Sequence, residues 1–565
     1  MTRNFTSVNK SNLLAFTIFF GLSSFLILLT IRSGELLGPD TFGHIMTGIF
    51  LSDFLKEKIF LRSIPEMWNY TWTYYAHYSI IGLIHWPPLF HLIEAVYFRL
   101  FNFDEPAARF LIYLFSILGL FYYYRLMLQL YNNYIAFLAS VLFITSPTIL
   151  FHSRVLSLEI PSLTFALISI YYFYLFTKHQ RTVDGLLVTI FTALALLTKQ
   201  NNVFLCFFYL VYLLVYIFIL HRKAFIRFGQ FLLFFVILIL LVGPYYYIAF
   251  TKLNYILSGN LYKGNVFDNP YTQLNYYLYY LVTLPQQIQI VTILLLILFI
   301  FLLGAYFKKI IDESNLFMLS WAISCFGVFT LIAVKDERYI IYWVPALTGL
   351  AAFSICFLAN NIINKFKIAK PNLIVWLIIF IISSTSFTIS ILTPNPYIFG
   401  YDNLAKSILS KIPEGHNEII FFDGTEGYGK LAYSLRKFDP ERRIFLFRSS
   451  KMFYAGAFIT KYAHWEIINK KADMVDYFKR YGIRYIVLSY ITDGNDDSKT
   501  LRELITEDQN FVLVDKFAII KNHLLDGFVN LYLYKGTEPL THEKELDIPM
   551  PILNRFIKIK LKPQI

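Results

Sequence analysis

The sequence predicts a polytopic α-helical membrane protein of about eleven spans, with interfacial helices in its first external loop and an external α/β domain at its C-terminus. Three observations predict it. Of the 565 residues 57% are hydrophobic and only 15% charged, against about a quarter charged in soluble domains, so no single aqueous core takes up the apolar surface. The apolar residues fall into blocks of about 20, the length that crosses a bilayer core about 30 Å thick. After residue 392 the long blocks stop, and short apolar runs alternate with helix-like segments.

Spans are expected at about 12–31, 109–126, 132–150, 158–176, 184–198, 201–220, 228–250, 286–306, 316–334, 338–359 and 371–391. The first has the length of a signal peptide. The residues after it, Arg32 to Gly38, offer no small-residue cleavage site, so it reads as a retained anchor. Loop charge orients the chain, because Lys and Arg near span ends favour the cytoplasmic side. Arg3 and Lys10, Arg125, Lys178 and Arg181, His221-Arg222-Lys223 with Arg227, Lys308-Lys309, and Lys365, Lys367 and Lys370 form one alternating set. That set is expected inside. The N-terminus is then cytoplasmic and residues 393–565 form an external or periplasmic domain, in a layout typical of a prokaryotic inner membrane.

The apolar stretch Trp86 to Leu100 is excluded from the count, because a span there would turn every later basic cluster outward. Residues 38–107 are instead expected to form a large external loop with interfacial helices, rich in Trp68, Tyr70, Trp72, Tyr74, Tyr75, Tyr78 and Trp86. In the tail, Ile419 to Gly424, Ile444 to Phe447 and Tyr485 to Leu488 read as buried strands, with helices at Gly429 to Arg436 and Asp473 to Tyr481. Phe511 to Ile520 and Phe528 to Tyr534 read as an antiparallel pair. Gly424, Gly427 and Gly429 lack the GxGxxG spacing of a phosphate-binding loop and read as turn glycines. Three cysteines give neither a disulfide framework nor a metal-ligand spacing. The net charge of +13 sits in anchoring clusters and the tail, without the basic, aromatic-interleaved groove of a nucleic-acid binder.

On the external side four polar features converge: Asp40 with His44, Arg154 with Glu159, Lys199, and the run Lys335-Asp336-Glu337-Arg338. Ionisable groups at the bilayer cost several kcal/mol unless paired or hydrated, so charges of both signs arriving from four span ends mark a candidate site.

In these residues the chain resembles the lipid-phosphosugar-dependent glycosyltransferases of the membrane C-type superfold, closest to the protein O-mannosyltransferase and lipid A aminoarabinose transferase group. The resemblance covers roughly Leu13 to Leu392. It is carried by Gly38-Pro39-Asp40-Thr41, His85-Trp86-Pro87-Pro88-Leu89-Phe90, Glu105-Pro106-Ala107-Ala108-Arg109-Phe110, Ser153-Arg154 to Glu159, Leu196-Leu197-Thr198-Lys199, and Asp336-Glu337-Arg338-Tyr339-Ile340 with Pro345. It implies an inverting transfer, at the external face, of a monosaccharide from a polyprenyl-phosphate donor held in membrane lipid to an acceptor hydroxyl or amine. Asp40 corresponds to the family's general base. Thr41 stands where the family usually has a second acid, and Glu159 replaces the more usual Asp; these departures leave a family metal site open. A divalent metal is the one cofactor to weigh, and neither sugar nor acceptor is named by the residues.

The chemistry is compatible with that implication. Arg338 offers a planar fork of donors for phosphate and Lys199 a point charge, both able to stabilise a leaving phosphate. Asp40 can take the acceptor proton. His44, Arg154, Tyr339 and His85 are supporting candidates. Each has a structural alternative. Asp40 can cap the helix after it, and His44 can be a hydrogen-bonded imidazole rather than a ligand. Glu159 can balance Arg154, Lys199 can snorkel as an anchor, and Arg338 can form a surface pair with Glu337. Two rival classes stand beside the transferase. An oligosaccharyltransferase-like enzyme using a lipid-linked glycan shares its architecture; a transporter would show an inverted pair of interrupted spans, which the sequence lacks.

Overall fold

The computed structural model describes residues 10–38, 40–82, 86–220, 228–262, 272–332, 335–367, 369–424, 427–457, 460–491, 499–550 and 555–564. Arg3, Pro39, His85, His221, Arg222, Lys223 and Arg227 lie outside the described residues.

Seven helices among the described residues are long and apolar enough to cross a membrane: Glu105–Leu130, Glu159–His179, Gln200–Phe218, Leu233–Thr251, Glu313–Leu331, Glu337–Phe366 and Pro371–Leu392. This corrects the expected eleven. The other four apolar blocks form shorter helices of 10–17 described residues, Phe19–Leu28, Asn133–Ile144, Thr182–Thr198 and Ile290–Ala305. The reason is that hydropathy counts apolar residues without locating helix breaks. The block expected at 132–150 is split by Ser146-Pro147 into Asn133–Ile144 and Pro147–His152, and a 12-residue helix is only about 18 Å long.

In chain order the helices that frame the site are α1 (Lys10–Leu28), α2 (Thr41–Lys56), α3 (Ile64–His77), α4 (Leu89–Phe101), α5 (Glu105–Leu130), α6 (Asn133–Ile144), α7 (Pro147–His152), α8 (Glu159–His179), α9 (Thr182–Thr198), α10 (Phe204–Phe218) and α11 (Phe228–Tyr262). Helices α2 to α4 make up the first loop. Helix α3 starts on a capping box, Ser63 with Glu66, and Pro65 in its first turn. Helix α4 buries Phe90, His91, Glu94, Ala95 and Phe98 on one side and exposes Leu92, Val96, Leu100 and Phe101 on the other. An apolar outer face of that kind suits a helix lying in the membrane interface.

Beyond the last span the chain folds into a curled, external sheet domain. Its strands are β1 (Ile398–Phe399), β2 (Glu418–Asp423), β3 (Ile444–Arg448), β4 (Tyr454–Ala457), β5 (Thr460–Glu466), β6 (Tyr485–Ile491), β7 (Phe511–Lys521), β8 (Leu524–Tyr534), β9 (Lys544–Met550) and β10 (Arg555–Leu561). Six form a mixed sheet of order β1-β7-β8-β6-β2-β3, and β4-β5 and β9-β10 form separate hairpins. Strands β3, β2 and β6 run parallel, while β6-β8, β8-β7 and β7-β1 are antiparallel. The carboxyl ends of β2, β3 and β6 and the β7–β8 turn therefore share one edge.

At that edge β1 meets the membrane part. Glu35, just after α1, pairs with Ile398 of β1, and its buried carboxylate accepts the backbone N–H groups of Gly400, Tyr401 and Asp402 at the start of the helix Tyr401–Ser410. Burial raises the Glu35 carboxyl to about 7 against that hydrogen bonding. At the other end of α2, Arg436 makes a bidentate pair with Asp53 at 2.8 Å, and Tyr74 donates its hydroxyl to the same carboxylate. His77 stacks on Phe445 at 3.8 Å between ring centres, so α3 lies against β3.

Candidate active site

Asp40 sits where α2 begins, in a left-handed backbone conformation (φ 57°) that a non-glycine residue adopts at a cost. Thr41 holds this turn in place by donating to the Leu156 carbonyl at 2.8 Å, which ties the first loop to the α7–α8 connection. The Asp40 side chain makes no capping bond to α2. It accepts instead from Arg338 Nη1 at 2.7 Å, with the carboxylate 44% exposed.

Arg338 lies in the 3-10 turn Glu337–Trp343 that leads into a span. Its Nε donates to Asp336 Oδ2 at 2.7 Å, and its backbone N–H donates to Asp336 Oδ1 at 3.0 Å. The guanidinium thus bridges two carboxylates and also feels Glu159. Glu337 takes no part; it accepts from Tyr279 at 3.3 Å on the exposed side.

Glu159 is buried at the first turn of α8 and pairs with Lys199 at 2.5 Å. Lys199 occupies the extended break between α9 and the turn before α10 (φ −153°), a break closed by Asn202, whose amide donates to Ala195 and Lys199 carbonyls. Its ammonium is buried, not snorkelled outward. Tyr339 links the two pairs, its ring 5.6 Å from Lys199 Nζ and 5.7 Å from the Arg338 guanidinium. His152 lies 3.9 Å from Glu159, but burial holds its imidazole down to about 4, so it faces Glu159 as a neutral ring bonded to Ser157 at 3.2 Å.

The remaining expected residues separate from this centre. Arg154 turns away and donates Nε and Nη2 to the Leu26 carbonyl at 3.2 and 2.8 Å, satisfying the end of α1. Lys335 does the same for the helix Glu313–Leu331, donating to the carbonyls of Phe329, Thr330 and Ile332, with burial lowering it to about 8. His44 and His91 meet at 3.1 Å beside Trp86 in a buried packet between α2 and α4. His85 lies outside the described residues. Among the described residues no group of three or more His, Cys, Asp or Glu side chains is placed to hold a metal ion.

Solved structures share this architecture. ArnT from Cupriavidus metallidurans, solved bound to undecaprenyl phosphate, matches with a TM-score of 0.57 over 93% of this chain and 98% of its own, at 12% identity. Its apo form gives the same score over 94% and 100%, at 13% identity. The chain shares the fold of these membrane proteins. The archaeal oligosaccharyltransferase AglB from Archaeoglobus fulgidus, in complex with an inhibitory peptide and a dolichol-phosphate, matches at 0.52 over 85% of this chain and 69% of its own, at 12% identity. The family model described as dolichyl-phosphate-mannose-protein mannosyltransferase matches residues 85–247. No curated protein sequence matches the chain.

Two neighbours of the centre carried little signal in the sequence. Asp336, named within a charged run and a resemblance motif but given no role, orients Arg338 through two bonds. His152 carried no signal, being a single His in an apolar stretch.

Proposed function

We propose that the protein transfers a monosaccharide from a polyprenyl-phosphate donor to an acceptor hydroxyl or amine at the external face of the membrane, inverting the anomeric carbon. The observation that carries this reading is the Asp40–Arg338–Asp336 bridge beside the Lys199–Glu159 pair, a base and two cations gathered where helices end. The fold supports the choice of donor, since ArnT was solved with undecaprenyl phosphate and AglB with a dolichol-phosphate. The alignment with ArnT covers nearly all of both chains, whereas nearly a third of AglB has no counterpart here, which favours the monosaccharide reading over an oligosaccharyltransferase-like one.

In the proposed reaction Asp40 takes the proton of the acceptor as its oxygen or nitrogen bonds the anomeric carbon. The bond from that carbon to the phosphate oxygen breaks, and its electron pair leaves on the phosphate. Arg338 and Lys199 stabilise the charge developing there, where fixed cations in a low-dielectric site act most strongly. Donor phosphate competes with Asp40 for Arg338, so loading the donor frees the carboxylate to act as base. Glu159 holds Lys199 in position.

The test is mass spectrometry of lipids copurified with the full-length protein, followed by incubation with a polyprenyl-phosphate sugar and acceptor extracts. Release of polyprenyl phosphate with a glycosylated product of inverted anomeric configuration is expected. Retained configuration, or a sugar lipid left intact in every condition, would sink the proposal.

A further inference from the structure

The β7–β8 turn reverses the chain at Asn522 and His523, both left-handed, and then carries Leu524 and Leu525, 73% and 61% exposed. A water-facing turn ordinarily takes polar residues there. Register extends the apolar surface inward. Phe399 of β1 stands opposite Ile520 of β7, and Ile520 opposite Leu525 of β8, so the three side chains form one cross-strand row. Phe399 and Ile520 are also exposed.

A chain of bonds locates this row at the end of the membrane spans. Arg109, in the second turn of α5, donates to the carbonyls of Ile31 and Glu35 at 3.4 and 3.1 Å. The Glu35 N–H donates to Ile398 at 3.0 Å. The Phe399 ring lies against Gly34 so closely that an added Cβ there would stand 2.8 Å from it. On the far side of β1, the Tyr397 N–H donates to Asn522 Oδ1 at 3.3 Å and the Asn522 N–H to the Tyr397 carbonyl at 3.2 Å. Tyr397 follows the span end Leu392 by five residues, a reach of at most about 18 Å.

We propose that the row Phe399–Ile520–Leu525, with Leu524 at its tip, is seated in the headgroup–acyl boundary of the bilayer that the chain spans. The interface extends about 5–7 Å beyond the hydrocarbon core on each side, and the row is continuous with the span ends through the contacts above. Lys521 stands opposite Leu524, a cation beside an apolar tip, which suits a headgroup layer. Seated in this way, the turn holds the membrane-facing edge of the sheet at one height above the candidate site. The proposal does not depend on the reaction assigned to that site.

The experiment uses the full-length protein in phosphatidylcholine nanodiscs with Cys206→Ser; the other two cysteines are buried. An environment-sensitive fluorophore is placed on Leu524→Cys, on Leu525→Cys as an independent reporter, and on Val512→Cys at the far end of β7 as the water-facing control. Iodide quenching about threefold weaker at 524 and 525 than at 512, with quenching by lipids spin-labelled near the ester, is the expected result. Equal iodide access at all three positions, or protection that follows protein concentration and persists without lipid quenching, overturns the proposal; the second outcome assigns the row to another copy of the chain.

Discussion

The two ends of α2 each hold an aspartate paired to an arginine from far along the chain, and the pairs differ in every respect that bears on their use. Asp53 is buried, accepts three hydrogen bonds from Arg436 and one from Tyr74, and has Arg442 at 3.6 Å. Asp40 is half exposed, sits on a strained backbone, and accepts from Arg338, which it shares with Asp336. A carboxylate saturated by buried donors has no lone pair to offer a substrate, whereas one held by a shared cation at a solvent edge has. The first kind of pair joins domains. The second leaves a base and a cation available at short range.

Substitutions at the two ends should therefore fail differently. The largest effect is expected for Asp40→Asn, which keeps size and loses basicity. Single-turnover transfer from a saturating polyprenyl-phosphate sugar should fall about a hundredfold to ten-thousandfold, with the thermal midpoint of the detergent-solubilised protein unchanged. Near-normal turnover would return Asp40 to a purely structural place. At the opposite end, Arg436→Met should leave the buried Asp53 charge with only Tyr74 and the more distant Arg442, and cost up to about 3 kcal/mol, while Asp53→Asn in the same chain recovers part of it. Denaturant unfolding followed at the sheet domain measures this, and additive losses in the double variant would contradict the latch.

Between these extremes lies Lys199→Met. It should raise the donor concentration needed for half-maximal transfer by about tenfold or more, the loss of one charge-assisted contact to phosphate, and unchanged donor dependence would remove Lys199 from the donor site. His152 gives a pH test. Burial holds its folded-state value near 4, below the usual 6.5, so as pH falls the unfolded chain takes up the proton first. The stability it contributes is fully present above 6.5 and is lost between 6.5 and about 4. His152→Gln should flatten the stability profile in that window, and an unchanged slope would contradict it. The smallest effect is expected for Glu337→Gln, within about 0.5 kcal/mol in stability and without change in transfer, because Glu337 accepts from Tyr279 at the exposed surface.

Much of the helical and strand content was legible because it depends on local pattern. The run Ile419 to Asp423 reads as a buried strand and is one, since every residue of β2 is buried in a parallel triplet. The stretch Trp86 to Leu100 reads as interfacial because a span there would reverse the loop charges; the helix α4 found there buries one side and exposes apolar residues on the other. The span count was less legible. Ser146-Pro147 ends α6, and a run of apolar residues does not reveal where a helix stops short of the bilayer thickness.

The sequence by itself determined that charged groups cluster at helix ends beside apolar blocks, because ionisable residues are rare near lipid and conspicuous wherever they occur. Which of them meet was decided only by tertiary structure. Asp40 and Arg338 are 298 residues apart and Glu159 and Lys199 are 40 apart, whereas Arg154, five residues from Glu159, turns the other way to satisfy the Leu26 carbonyl. The physical reason is that a buried cation is claimed by whichever unsatisfied acceptor the packed helices bring within reach, and chain proximity carries no information about that acceptor.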